Sequence, residues 1–155
     1  MKKLVLMLFC FLTITEAVSA QTGDKLLENN RAFTGAKAIQ KNYHAIYQLD
    51  FNEPKRIEKT LRNITNALND PRLVGKIKIE LVAFSAGTDA YMKGGKYEED
   101  LKALVEKGVI VVQCNNTLKE RKISRDQIYD FIGIVPSGNG ELILRQAEGW
   151  AIIKP

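Results

Sequence analysis

The sequence predicts an α/β three-layer sandwich on a mostly parallel sheet, and three observations predict it. Short apolar runs alternate with helix-periodic segments from Tyr43 to Ile153, joined by short links. The run Val109-Ile110-Val111-Val112 is continuously apolar and β-branched, as in a strand covered on both faces. Ile57, Leu61, Ile64 and Leu68 recur at four- and three-residue spacing, which makes one apolar helix face. Such alternation puts helices on both faces of a parallel sheet.

In chain order, Tyr43 to Leu49 reads as the first strand. Pro54 to Leu68 is a helix that Asn69-Asp70-Pro71 ends. Ile77 to Phe84 is the second strand, followed by a loop from Ser85 to Lys96 that carries Gly87, Gly94 and Gly95. The next helix opens on Glu98, Glu99 and Asp100, which suit the positive end of the helix dipole. It ends at Lys107-Gly108, where glycine supplies a left-handed cap. After the third strand, Ser124 and Gln127 form a capping box, with Ile123 and Ile128 as its hydrophobic staple. That signature predicts a helix to about Ile132, stopped by Gly133. Ile134–Val135 leaves room for one short additional strand. A last helix runs from roughly Gly140 to Ala147, and Trp150 to Ile153 is the terminal strand. The architecture is a flavodoxin-like three-layer sandwich, with no internal repeat or domain linker.

Residues 1–20 read as a secretory signal. Lys2 and Lys3 give a positive start, Leu4 to Leu12 is an unbroken apolar run, and Val18-Ser19-Ala20 offers the small-x-small cleavage pattern. The run is shorter than the roughly 20 apolar residues that span a bilayer, and no second long run follows, so no membrane anchor is expected. Cys10 sits mid-run, which argues against a lipoprotein. The expectation is an exported, periplasmic chain beginning at Gln21, with a polar lead-in of weak local order over 21–42 and one domain over 43–155. Acidic and basic residues are interspersed, as in 55–59 and 119–122, within a net charge of +5. No basic stripe interleaved with aromatics appears, so nucleic acid is not an expected partner.

Once Cys10 leaves with the signal, Cys114 is the one cysteine of the mature chain. The leftover thiol is buried and inert, bridged between chains, or reactive. Ligands in parallel α/β sheets bind beyond the carboxyl ends of the strands. Three loops converge there: 50–52, 84–87 and 113–117. Cys114 lies where the third strand gives way to its loop, which favours a reactive or ligand-contacting thiol. If Thr117 to Arg121 begins a helical turn, its free amides favour a thiolate. Asn115, Asn116 and Thr117, with Ser85 and Gly87 from the second loop, are the candidate ligand-binding residues. His44 is the only histidine and starts the first strand, at the opposite edge, so neither a metal cluster nor a Cys–His pair is expected. The stretch from Gly87 to Lys96 lacks phosphate-loop spacing, and Tyr97 stands where a hydroxyl would bind magnesium. No cofactor is expected. Ser137-Gly138-Asn139-Gly140 precedes a helix and is either an anion site or a plain helix entry.

Three segments in order carry a resemblance. They are Glu80-Leu81-Val82-Ala83-Phe84-Ser85-Ala86-Gly87, then Val109 through Cys114 to Leu118, then Val135-Pro136-Ser137-Gly138 through Gln146-Ala147-Glu148-Gly149-Trp150 to Pro155. Across Tyr43 to Pro155 the chain resembles the DsrE/DsrF-like family, which includes the sulfur-relay proteins DsrE and TusD, and specifically a small uncharacterised branch. The resemblance implies a DsrE-like α/β fold and assembly into trimers or hexamers. In its relay members the cysteine after the third strand carries a persulfide between donor and acceptor proteins, a role that maps onto Cys114 alone. The signal sets this chain apart from a cytoplasmic relay. Trp150, Phe131 and Tyr129 are the apolar residues expected to contribute to symmetric contacts.

Two functional classes follow. One is a sulfur or thiol carrier using Cys114, with a donor or acceptor protein as partner. The other is a non-catalytic oligomeric binding or assembly module, in which Cys114 lines a small-ligand pocket or subunit contact. An extracytoplasmic redox protein is a weaker third reading, since the mature chain has no resolving cysteine.

Overall fold

The computed structural model describes residues 22–155, so the signal assigned to 1–20 and the cleavage point before Gln21 lie outside the described residues. The chain divides into two units between Lys37 and Ala38. In the first, residues 22–32 are helical and exposed throughout, a regular element where the sequence suggested weak local order.

The second unit alternates strands and helices. β1 (Tyr43–Leu49) leads to α1 (Pro54–Asn69), β2 (Ile77–Ala83) and a 3-10 helix over Ser85–Tyr91. Then come α2 (Glu98–Glu106), β3 (Ile110–Cys114), α3 (Asn115–Arg121) and a 3-10 turn over Arg125–Gln127. β4 (Gly133–Val135), α4 (Gly138–Ala147) and β5 (Ala151–Ile153) complete the unit. The strands form one sheet in the order β4-β3-β2-β1-β5, every pair parallel. This is the sandwich the alternation predicted.

Period-two alternation sorts the side chains onto two faces. Ala45, Tyr47 and Leu49 with Ile79, Leu81, Ala83 and Val111 pack beneath Ile57, Leu61 and Ile64 of α1 and Leu101 and Leu104 of α2. Ile46, Val82 and Val112 face the other way, against Leu142 of α4 and Trp150. Ile46, Leu49 and Ile64 are fully buried, and each contributes about 1.5–3 kcal/mol relative to exposure. Pro54 opens α1, where its missing amide costs nothing, and Gly108 (φ 87°) takes the left-handed cap after α2.

Two expectations are corrected here. The helix expected over Ser124–Ile132 is a single 3-10 turn. The Gln127 side-chain oxygen accepts from the Ser124 amide at 2.8 Å, so the box closes, but Ile128 is already extended and bridges Met92. The Tyr129 amide donates to the Tyr91 carbonyl, and the Arg125 guanidinium takes the carbonyls of Tyr129, Asp130 and Ile132. Tertiary partners thus claim the groups that would have continued the helix. The apolar residues expected at subunit contacts also sit elsewhere. Tyr129 and Trp150 belong to the core and Phe131 is half-buried, stacked on Tyr129 with ring centroids 5.5 Å apart. Exposed aliphatics on the last elements of this unit are instead Ile143 and Leu144 on α4, Ile152 on β5 and Ile134 on β4.

Candidate functional site

Leu49, Ala83 and Gln113 are aligned by the strand register, so β1, β2 and β3 end on one edge. There is no loop after β3. Cys114 is its last residue and also the N-cap of α3, which starts at Asn115. The pleat turns Cys114 toward the α4 side, in line with Val112, while Gln113 points to the opposite face. There the buried Gln113 amide donates at 3.0 Å to both Thr88 Oγ1 and the Cys114 carbonyl, fixing the strand end from below.

Cys114 lies on the floor of a groove of about 280 Å³, with its residue exposure only 5 %. Phe84, Ser85, Asn116, Thr117, Arg121 and Ser137 are among the walls. Gly138 and Asn139, at the start of α4, close the far side, and Glu120 stands on the rim. Burial pushes the Cys114 thiol up. The amides of Thr117 and Gly138, then the Thr117 hydroxyl and the Asn116 amide, act against this by hydrogen-bonding the sulfur, and they prevail. The Cys114 pKa is therefore lowered below that of an ordinary thiol, through hydrogen bonds to its charged form.

The frame around the sulfur is braced. Ser85 has φ 52°, a left-handed conformation rare for a residue with a side chain. Its amide donates to Thr117 Oγ1 at 3.0 Å, which leaves the Thr117 proton for Cys114. The Ser85 carbonyl accepts from Arg121 Nη1 at 2.9 Å, and Arg121 Nη2 meets Asp89 Oδ1 at 2.6 Å. Asn52, beyond β1, donates to the other Asp89 oxygen at 2.9 Å. Burial pushes the Asp89 carboxyl up, but Asn52 and Arg121 outweigh it and hold the pKa below the usual carboxylate range. All three expected loops are thus clasped together.

Of the candidate ligand-binding residues, Ser85, Asn116 and Thr117 line the groove with Cys114. Asn115 faces a second hollow under α3, with Leu118, Lys119, Lys122 and Ile134. Gly87 is buried, pressed against the end of β1. His44 is remote, its ring 5.0 Å from that of Trp150. Sequence reasoning undervalued Ser137-Gly138-Asn139, whose helix entry supplies an amide to the sulfur. The anion-site reading of that stretch was the signal. It also missed Arg121 and Asp89 as a pair, because residues 32 apart share no local pattern.

The arrangement sets a thiol of lowered pKa in a small polar groove, between the start of α3 and the start of α4. Among the described residues no cluster of His, Cys, Asp or Glu is placed to hold a metal ion, and no helix is long and apolar enough to cross a membrane. The DsrE/DsrF-like family model matches residues 41–155, spanning the whole sheet and the Cys114 groove. The chain belongs to the DsrE/DsrF-like family. No curated protein matches it. Among solved structures it is similar to MTH1491 of Methanobacterium thermoautotrophicum, a protein of unknown function. Identity there is 30 % and the TM-score 0.70, over 74 % of this chain and all of that one. The ychN protein from E. coli (17 % identity, TM-score 0.57) is covered in full and matches 75 % of this chain, and it shares the fold. So does BT1422 of Bacteroides thetaiotaomicron, at 10 % identity and TM-score 0.59, with 78 % of this chain and all of that one covered.

Proposed function

We propose that this DsrE-like protein is a sulfur carrier in which Cys114 holds a persulfide between a donor and an acceptor. The observation that carries the reading is the ring of donors on Cys114, which lowers its pKa despite burial. Those donors serve both charged forms of the cycle. The thiolate attacks the outer sulfur of a donor persulfide, a new S–S bond forms, the donor's S–S bond breaks, and the donor leaves as a thiolate. The transferred sulfur keeps its own proton until the persulfide ionises, and no external oxidant or reductant is consumed. An acceptor thiolate then reverses the same exchange.

The test is alkylation of native protein by iodoacetamide across pH, followed by intact mass after treatment with polysulfide. We expect a midpoint below the roughly 8.5 of a free cysteine, and a gain of one sulfur that reductant removes and Cys114→Ser lacks. Alkylation only after denaturation overturns the carrier. Ready alkylation at an ordinary midpoint with no sulfur gained leaves the binding module as the better reading. On protein from its native host, the same mass measurement reports export, for which we propose Gln21 as the mature N-terminus.

We also propose a homo-oligomer of three or six chains. Ile143 is 67 % exposed and Leu144 62 % on the outer side of α4, an apolar pair suited to symmetric burial. Light scattering of wild type at micromolar concentration is expected to give three or six chains. Ile143→Asp/Leu144→Asp is expected to give smaller particles. A monomeric wild type rejects the assembly.

A further inference from the structure

One buried carboxylate has no part in the groove. Glu80 lies in the middle of β2, fully buried, facing α4. Its Oε2 accepts from Arg145 Nε at 2.8 Å and Nη2 at 2.7 Å, while Oε1 is buried without a hydrogen-bond partner among the described residues. Arg145 is held on its other sides by Glu141 at 3.1 Å, Glu148 at 3.0 Å and the Trp150 ring, 4.3 Å from its Cζ. A charge in an apolar sheet face is costly, so it fixes its partner strongly in place.

The partner is a helix that also makes the site. Leu142 packs the middle of α4 onto the sheet, and each end of the helix has a contact of its own. Arg145 grips Glu80 near its C-terminal end. At its first residue Gly138 fits over the Phe84 ring so closely that a Cβ there would be 2.6 Å from Phe84 Cδ1. Between these points run about 10 Å of helix. On the sheet, β3 runs about 13 Å from Ile110, the register partner of Glu80, to Cys114. With Arg145 seated on Glu80 near one end of α4, Gly138 at the other end lines the groove together with Cys114.

We propose that Glu80 is a positioning residue for Cys114, its pair with Arg145 setting the height of α4 at which the Gly138 amide reaches Sγ. The device acts through one helix, so a change at Glu80 is read at a thiol it does not touch. The charges facing Glu80 are Glu141 and Arg145 from α4 and Lys78 on its own strand face, with His44 beside Lys78 on β1. Through the sheet it also bears on the buried Tyr91, whose hydroxyl donates to the Leu81 carbonyl. Burial foremost, and Glu141 with it, push the Glu80 carboxyl up, while Arg145 opposes them.

The inference rests on Cys114 being the thiol of interest but not on sulfur transfer, since alkylation reads it directly. Glu80→Gln is expected to raise the Cys114 alkylation midpoint by about one unit, so that alkylation near neutral pH slows about tenfold. Gly138→Ala displaces the same amide from the near end and is expected to give a similar shift. Ile64→Val, in the core of the opposite face, loses about 0.5–1.5 kcal/mol of stability and is expected to leave the midpoint unchanged. Should Glu80→Gln fail to fold, Glu80→Gln/Arg145→Gln removes both charges while keeping two amides that can pair, and its midpoint is expected between wild type and Gly138→Ala. A folded Glu80→Gln protein, or the double variant in its place, with the wild-type midpoint overturns the proposal. So does an equal shift in Ile64→Val, which would make the effect one of general loosening.

Discussion

Arg145→Ala is expected to cost about 3–5 kcal/mol at pH 7.5, because it strands the buried Glu80 carboxylate without its ion-pair partner. The loss is expected to depend on pH, and its sign follows from Glu80. Burial raises its folded-state pKa above the ordinary 4.5, Glu141 adds to this, and Arg145 opposes it. A carboxyl with a raised native pKa binds its proton more tightly in the folded chain. Its contribution is complete below about 4.5 and is lost as pH rises through the native value. Without Arg145 that native value climbs further, so the variant falls away from wild type progressively as pH rises. Toward about pH 4, below the ordinary 4.5, the carboxyl is mostly protonated whether folded or unfolded, and the deficit shrinks toward the lost hydrogen bonds and the contact with Trp150. Urea unfolding of both proteins from about pH 4 to pH 8 measures the gap. A gap that stays constant over that range refutes a charged Glu80 under Arg145. Glu80→Leu/Arg145→Leu is expected to recover most of the loss, since an apolar pair in this layer needs no counter-ion.

That buried pair marks where the sequence stopped being legible. β1, α1, β2, α2, β3 and α4 were readable because each carries its own period or its own punctuation, such as Pro54 at a helix start and Gly108 at a helix end. The three strand ends follow from those elements alone, and with them the edge that holds Cys114. The turn after Ser124 was misread because a capping box reports only a helix start, whereas its continuation was decided by Arg125, Tyr91 and Met92. The helix over 22–32 was missed because its residues show no apolar stripe, and every one of them is exposed. Within the site, Cys114, Asn116, Thr117 and Ser85 were found by position on the edge. Gly138 was not, because its amide reaches the sulfur only after α4 folds back across β2 and β5. Glu80 gave the least warning. A glutamate two residues after Lys78 in the same strand looks like a second solvent-facing charge until its partner, 65 positions away, is known.

Gly87→Ala is expected to be among the most damaging single-methyl changes in the domain. A Cβ at Gly87 would lie 2.6 Å from the Leu49 carbonyl carbon and 3.1 Å from the Asp50 amide nitrogen, and would run into the Leu49 oxygen. All three atoms are backbone, and Leu49 ends a strand paired on both sides, with its carbonyl accepting from the Phe84 amide at 3.1 Å. The strand cannot yield, so the 3-10 helix over Ser85–Tyr91 has to lift. Lifting it pulls on Ser85, whose amide holds the Thr117 hydroxyl toward Cys114 and whose carbonyl holds Arg121. The expected cost is about 3 kcal/mol, at the upper end of overpacking, accompanied by a higher Cys114 alkylation midpoint. Gly94→Ala is the matched control. Its Cβ meets nothing within 4 Å but its φ is +78°, so it bears the left-handed strain of about 1–2 kcal/mol and leaves Cys114 untouched. Urea unfolding and alkylation of the two variants side by side give the comparison. If Gly87→Ala is no less stable than Gly94→Ala, with an unchanged Cys114 midpoint, then the turn is not braced against β1 and the clasp from Leu49 through Ser85 to the sulfur is wrong.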